Sequence, residues 1–300
     1  MEFDLENPLT SSQDLHSHAV ASLFQAENHH MPSIDYCGSL DSVDCDVSFR
    51  RQAISSILQL SSSFDPFLSY LAINYLDRFL SRSEIPREKP WILRLLAVSC
   101  VSLAAKMKKT EFSLADFQGE GGFIFDSETI MRMEILVLGA LKWRMRSVTP
   151  FSFISFFISL FKLKDPPLLE ALKARVTEII LKSQKEIKLL QFKPSIIAAS
   201  TLLYACHELF PLQFPCFMTA ISNCPYVNKV IRPLSPAPIL LFFPNYSLYC
   251  PDFFFPGKHA VLLHCSEGNG DKGVRQLIRR GFELELAGEC AGPALPELGE

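Results

Sequence analysis

An adjacent acid and base, Asp77 and Arg78, are the first side chains that could do chemistry. A carboxylate can act as a general base or a nucleophile, but catalysis also needs a partner and an orienting group within hydrogen-bond reach. The sequence contains no recognisable set of that kind, no glycine-rich phosphate loop and no cluster with metal-ligand spacing. We therefore interpret Asp77 and Arg78 as part of a structural ion pair that ties helices together. The sequence predicts a protein that is not an enzyme and uses no catalytic residue, cofactor or metal.

Cysteine and histidine are the usual residues of redox and metal sites, but here they do not have the spacing that such sites require. The nine cysteines are an odd number, and no two have C-x-x-C spacing. Several lie within apolar helical patterns, where a free cysteine behaves as a small buried hydrophobe. This usage favours a reducing, intracellular compartment. His29 and His30 lie in a polar segment without a nearby partner ligand, and we expect both to be solvated.

Lys106 and Glu134 are charged residues in strongly apolar surroundings. Lys106 ends an apolar helical pattern, where an ammonium group favours the negative end of the helix. Glu134 lies among apolar residues, where an unpaired carboxylate would be costly. Two ordinary interpretations remain open at this point: a lysine whose methylene stem covers apolar surface, and a glutamate on an exposed helix face. A third is that both bind a partner.

The bulk composition is that of a globular protein with room for two domains. The 300 residues are 48% hydrophobic and 20% charged, with a net charge of −3. That charge gives no general electrostatic reason to bind nucleic acid or an anionic membrane. The first thirty residues lack the basic start and apolar stretch of a signal peptide. The apolar run 91–107 contains Arg94, and we predict no transmembrane helix.

The elements that must position these residues are all predicted helices. Residues 1–46 are polar and predicted to form a mobile arm; from Val47 onward, apolar residues recur at helical spacing. A first domain over 47–145 contains five predicted helices, near 49–60, 64–81, 91–107, 113–117 and 126–141. Asp65 with Pro66, and Asp126, are N-terminal capping signals. A second domain over 146–229 contains predicted helices near 151–161, 165–188, 195–209 and 211–223.

The two helical sets look related to each other. Residues 95–105 can be laid over residues 196–206, and both segments are small-and-apolar helices that come third in their sets. This pattern predicts a duplicated five-helix unit. The alternative is that any two buried helices share such a composition. The second set lacks a fifth helical pattern, so the second repeat is predicted to be incomplete.

Residues 230–300 differ in amino-acid composition from the rest of the chain. Aromatic-proline runs are followed by a Gly- and Glu-rich segment, and we predict an atypical, disordered tail. Val230 follows Lys229, and every valine codon begins with GT. We therefore hypothesise that the tail is translated from an unspliced intron or across a misplaced exon boundary.

Three motifs occur in a defined order: LAINYLDRFLS at 71–81, SLAAKM at 102–107, and MEIL at 133–136, followed by Leu138, Leu141, Lys142 and Trp143. They resemble the second, third and fifth helices of the cyclin box. The resemblance covers about residues 49–228, and it is strongest to plant D-type cyclins of the short, divergent D6-like subgroup. It implies an all-α fold of two tandem five-helix cyclin boxes, the second incomplete.

The resemblance also implies a function. Cyclins bind the αC helix of a cyclin-dependent protein kinase and push it into its active position, which controls cell-cycle progression and division. Lys106 and Glu134 match the family's kinase-binding lysine and glutamate. The implied location is the nucleus, with exchange with the cytoplasm. The implied partner is the kinase, without direct nucleic-acid or membrane binding.

The chain departs from the family at a substrate-docking patch that many cyclins carry. The matching positions are the degenerate set Phe49, Ala53, Ser56, Gln59 and Arg94. Serine at 56 replaces the family's tryptophan and removes the largest apolar contact, and Arg94 would repel the basic motifs usually bound there. We predict weak or absent docking through this patch.

Two further departures concern partners. D-type cyclins commonly carry Leu-x-Cys-x-Glu near the N-terminus for retinoblastoma-type proteins, but residues 40–45 do not fit it, and the nearest match, 204–208, lacks the leucine and lies in a predicted buried helix. We do not expect retinoblastoma binding by this route. Lys108 and Lys109 also stand where the family has acidic residues, which is expected to alter kinase choice or affinity.

Two alternatives remain beside the activating cyclin. One is a transcription-initiation factor built on the same duplicated fold, as in general factors of the TFIIB type. The chain lacks the zinc ribbon and the basic surface that such DNA binding requires. The other is a truncated decoy cyclin that binds the kinase without activating it.

Overall fold

The computed structural model describes residues 17–33, 36, 44–83, 85, 86, 89–110, 125–161, 163 and 165–226, together with residues 5 and 8. Among these residues the regular elements are helices and no strand occurs, which confirms the all-α class. The predicted helix at 113–117 and the predicted tail at 230–300 lie outside the described residues. The α-helices are α1 (Ser17–Ala26), α2 (Asp44–Leu60), α3 (Pro66–Leu80), α4 (Pro90–Met107), α5 (Ser127–Ala140), α6 (Phe151–Ser159), α7 (Pro166–Ser183), α8 (Pro194–Leu209) and α9 (Phe214–Ser222).

Local capping signals begin the helices of the first set where the sequence predicts them. The Asp65 carboxylate accepts a hydrogen bond from Phe67 N (3.0 Å), and Pro66 occupies the first helical position of α3. The Asp126 carboxylate likewise accepts from Thr129 N (2.6 Å) at the start of α5. Each cap satisfies a backbone donor that has no partner within its own helix.

Helix α4 lies at the centre of the first set and α8 at the centre of the second. Helix α4 contacts α2, α3 and α5, whereas α8 contacts α6, α7 and α9. Both are buried almost all round, and their small residues allow close approach by neighbouring helices. This confirms the predicted equivalence of segments 95–105 and 196–206. By length and composition alone α4 could cross a membrane, but 67% of that window is buried inside the protein, as in the core helix of a bundle.

A buried ion pair joins the two sets. Arg50 on α2 donates through Nε and Nη2 to the two carboxylate oxygens of Asp77 on α3, at 2.7 and 2.9 Å. The same guanidinium donates to the carbonyls of Gln184 and Lys185, just past the end of α7, each at 3.0 Å. The structural role predicted for Asp77 is therefore confirmed, but its partner is Arg50 rather than the adjacent Arg78.

The mobile arm predicted for residues 1–46 is wrong for residues 17–30, which fold onto the helical sets. In α1, Val20 and Leu23 are buried, and Phe24 stacks on Tyr226 with ring centroids 4.8 Å apart. A 3-10 turn, Glu27–His30, follows, and its Glu27 accepts from Ser195 N (3.0 Å) at the start of α8. The spacing 20, 23, 24, 27 marks one helical face, and the second helical set supplies the ring contacts of Phe24 and the hydrogen bond of Glu27.

The prediction that both histidines are solvated holds only for His29. His29 is exposed, whereas His30 is 9% exposed and packs over α3, whose Asn74 donates to the His30 carbonyl (3.4 Å). Burial, together with the charges of Arg78, Arg144 and His29, lowers the pKa of His30 to about 4. The imidazole is therefore neutral in the folded protein at physiological pH.

We predict that Arg50→Leu destabilises the protein by about 3–5 kcal/mol, because Asp77 would keep a buried charge without its partner. Urea unfolding monitored by circular dichroism measures this loss. Arg132→Leu is the matched control, since its pair with Glu128 is exposed and should contribute less than about 1 kcal/mol. Equal effects of the two substitutions would contradict the assigned role of Arg50.

We predict that stability falls as pH drops from about 7 to 4, and that His30 contributes about 2–3 kcal/mol of that loss. The sign follows from the lowered pKa: between about 4 and 6.5 the unfolded chain binds a proton at His30 and the folded chain does not. His30→Gln should flatten this part of the stability profile in urea titrations, and His29→Gln should not. Parallel profiles for wild type and His30→Gln would show that His30 titrates normally.

Candidate functional site

Lys106 and Glu134 form one ion pair on the surface of the first set. Lys106 Nζ lies 2.7 Å from Glu134 Oε1 and 2.6 Å from Oε2. The lysine side chain is 61% exposed, whereas the glutamate side chain is 7% exposed. The sequence analysis predicts that each residue binds a partner and does not predict that they pair with each other. In the structure the two side chains are in direct contact. An ammonium has three N–H bonds, so one donor of Lys106 is not used by the two glutamate oxygens.

Helices α4 and α5 position this pair. Lys106 lies in the last turn of α4. Because α4 is largely buried, its neighbours hold this end of the helix, and with it Lys106, in a fixed position. Glu134 lies on the inward stripe of α5 with Ile130, Val137 and Leu141, all of which are buried. A carboxylate on a core-facing stripe needs a charged partner, and Lys106 supplies it from the neighbouring helix.

A second apolar stripe on α5 faces away from the core. Met131, Ile135 and Leu136 are each more than half exposed, and Trp143, just after the helix, is 69% exposed. Trp143 and the preceding Lys142 both have left-handed backbone conformations, with φ of 60° and 54°. Such conformations are costly for residues with side chains and are typical of functional or tightly constrained sites. We call Met131, Ile135, Leu136 and Trp143 the α5 surface.

Sequence reasoning missed the α5 surface, although a signal was present. An amphipathic helix needs one apolar stripe to cover a core. Here positions 130, 137 and 141 already form that stripe, so 131, 135 and 136 are apolar residues in excess of what the core requires. Exposed apolar side chains grouped on one face are typical of a protein–protein contact.

Only one of the two unusual lysines after α4 points to solvent. The Lys108 side chain is 10% exposed; its Nζ lies 2.7 Å from Asp65 Oδ2 and 5.1 Å from the centroid of the Phe67 ring. Burial alone would raise the pKa of Asp65, but the hydrogen bonds from Lys108 and Phe67 N outweigh it and lower that pKa. Lys108 therefore supports the start of α3. Lys109, with φ of 52°, is exposed.

The degenerate docking positions lie along α2 and the start of α4. Gln59 is exposed, Ser56 and Arg94 are half-buried, and Phe49 packs partly against the first-set core. Ala53 is wholly buried, so the part of the prediction that places it on a docking surface is wrong. Helical spacing turns position 53 toward the core, between Arg50 and Ile57.

The remaining candidates do not form a site in the part of the chain that the structure describes. Cys206, in the segment nearest to Leu-x-Cys-x-Glu, is buried in α8, and Glu208 pairs with Arg175 at 2.7 Å. No group of three or more His, Cys, Asp or Glu side chains comes together there as a metal site.

Comparison with known proteins identifies the fold and the family. The model of the cyclin N-terminal domain matches residues 18–146, and that of the cyclin C-terminal domain matches residues 148–226. The chain belongs to the cyclin family. A D6-type cyclin of Arabidopsis thaliana is 54% identical over 242 residues, which span 76% of this chain and 80% of that protein. This confirms the resemblance to plant D-type cyclins.

A second relative agrees with this assignment, and a solved structure agrees with the fold. A D6-type cyclin of Oryza sativa subsp. japonica is 43% identical over 236 residues, covering 76% of this chain and 70% of its own length. Among solved structures, a viral cyclin from herpesvirus saimiri aligns with a TM-score of 0.50 at 18% identity, covering 61% of this chain and 83% of that one. That structure supports the fold, two tandem cyclin boxes, and no more. Cyclins are regulatory subunits rather than enzymes.

We predict that an Arg-x-Leu peptide binds the wild-type cyclin only weakly, with a Kd above about 100 μM, because Ser56 offers no large apolar contact. Ser56→Trp combined with Gln59→Glu and Arg94→Gln should tighten binding at least tenfold, as measured by fluorescence anisotropy. Ser55→Trp with the same two changes is the matched control, since Ser55 is a neighbouring exposed position on α2. Low-micromolar binding by the wild type would contradict the prediction.

Proposed function

We propose that this cyclin binds and activates a cyclin-dependent protein kinase, acting in the nucleus and exchanging with the cytoplasm, and so controls cell division. The observation that carries the proposal is the α5 surface beside the Lys106–Glu134 pair: exposed apolar side chains next to a charged pair with a free donor. Burying the apolar residues against a kinase helix would supply affinity. The charged pair would fix the register of that helix by hydrogen bonds to its backbone.

The first cyclin box presents this whole surface, on α4, α5 and the turn after α5. Binding would therefore depend on the first box, with the second box supporting it through Arg50. Activation would follow if the cyclin holds the kinase αC helix in its active position, because the kinase Lys–Glu pair and the ATP phosphates then align. The cyclin itself would supply no reacting group. Of the two lysines that replace acidic family residues, only exposed Lys109 would face a partner and bias kinase choice.

We predict that Ile135→Ser weakens kinase binding at least tenfold, since it removes an exposed apolar contact without disturbing the core. The measurement is co-expression with a panel of cyclin-dependent kinases, followed by pull-down and a histone phosphorylation assay. Leu212→Ser is the matched control: Leu212 is 79% exposed but lies between α8 and α9. The double variant Lys106→Ala, Glu134→Ala should also lose the kinase.

The outcomes separate the competing functions. Kinase recovered with activity, and lost on Ile135→Ser but kept on Leu212→Ser, supports an activating cyclin. Kinase recovered without activity would show a decoy. No recovery from any kinase would refute the proposal, and salt-sensitive DNA binding would then favour the transcription-factor alternative.

A further inference from the structure

Three arginines gather where α3 ends against the turn that follows α5. Arg78 donates through Nη1 to Ser147 Oγ and through Nη2 to the Arg144 carbonyl, both at 2.9 Å. Arg82, just past the end of α3, donates through Nη1 to the Ala140 carbonyl at 3.0 Å. Both arginines therefore reach toward the end of α5 and the short segment that carries Arg144.

The neutral imidazole of His30 lies beside these arginines. The His30 carbonyl accepts from Asn74, one turn before Arg78 on α3. Its ring lies close enough to Arg78 and Arg144 for both guanidinium groups to lower its pKa. We call Arg78, Arg82 and Arg144 the cationic cluster. His29, which precedes His30, and Lys142, two residues before Arg144, are exposed.

The positive charge of the cluster is not neutralised within the described parts of the chain. The ion pairs found there involve other bases, and none includes a member of the cluster. Burial lowers the pKa of Arg78 to about 10, and the charges of Arg82 and Arg144 act in the same direction. The guanidinium groups of the cluster therefore repel one another.

A purely structural explanation accounts for only part of the cluster. Arg78 and Arg82 hold backbone carbonyls and suit the negative end of α3. That account leaves the Arg144 guanidinium without an acceptor among the described residues. It also leaves Arg78 Nε and His30 Nδ1 buried without hydrogen-bond partners. Buried donors without partners are rare in folded proteins and call for a specific reason.

We propose that the cationic cluster binds a phosphorylated serine or threonine of a partner protein. A phosphate group carries a charge near −2 and three strong acceptor oxygens, so it can accept hydrogen bonds from several guanidinium groups at once and suits such a cluster better than a single carboxylate does. Arg82 and Arg144 are exposed, so a side chain on a protein surface can reach them. Exposed Lys142, two residues before Arg144 in the chain, adds a positive charge for acidic neighbours of the phosphorylated residue.

This site is separate from the α5 surface and does not rest on kinase binding. Arg78 belongs to α3, Arg82 follows the end of that helix, and His30 belongs to the 3-10 turn; only Arg144 follows α5. The test therefore uses the full-length cyclin alone. Fluorescence anisotropy would compare three peptide libraries with randomised flanks and a fixed central phosphoserine, serine or glutamate. Inorganic phosphate would be the competing small anion.

We expect the phosphoserine library to bind at least tenfold more tightly than the serine library, with the glutamate library between them. Arg82→Gln and Arg144→Gln should each remove most of that difference. Arg51→Gln, an exposed arginine on α2 outside the cluster, is the matched control and should change nothing. Thermal melting of each variant would confirm that it is folded.

Several results would overturn the proposal. Equal binding of the phosphoserine and serine libraries would exclude a phosphate site. An equal loss in Arg51→Gln would show only general charge attraction. If inorganic phosphate bound as tightly as the phosphoserine library, the cluster would be a small-anion site without a protein partner.

Discussion

The guanidinium group of Arg50 is the point on which the rest of the fold depends. From α2 it donates hydrogen bonds to Asp77 on α3 and to two carbonyls just past the end of α7. A helix end leaves its last carbonyls without partners, and Arg50 supplies donors to Gln184 and Lys185 from the other repeat. Asp77 holds the guanidinium in that orientation and balances its charge. Because both groups are almost fully buried, removing either one would leave a charge in the protein interior.

This constraint explains why the proposed kinase-binding surface is well defined. Arg50 fixes α2 against α3, and those helices enclose α4. With α4 held on all sides, its end places Lys106 next to α5, and Glu134 closes the pair. A mobile α4 would lose the bidentate contact, since both glutamate oxygens lie within 2.7 Å of one ammonium. The position of the Lys106–Glu134 pair within the proposed kinase-binding surface therefore follows from the packing of the core helices.

The sequence predicts what depends on neighbouring residues and misses what depends on distant ones. The caps at Asp65 and Asp126 were predictable because side chain and backbone donor are separated by two or three residues. The partner of Asp77 was not, because Arg50 lies 27 residues away. Helix α1 was missed for a similar reason: Glu27 bonds to Ser195, 168 residues later. The Lys106–Glu134 pair could be anticipated only as two unusual charges.

Lys108 shows how burial changes the meaning of a charge read from the sequence. Two lysines in place of acidic residues suggest a reversed electrostatic field beside Lys106. The structure divides them: Lys108 is neutralised by Asp65 and covers the Phe67 ring, while Lys109 remains exposed. The net change at the surface is thus one positive charge rather than two. Because the electrostatic screening length is about 8 Å in physiological salt, one exposed lysine just past α4 would adjust the affinity for an acidic partner without excluding a neutral one. Kinase selectivity would then rest mainly on the shape of the α5 surface.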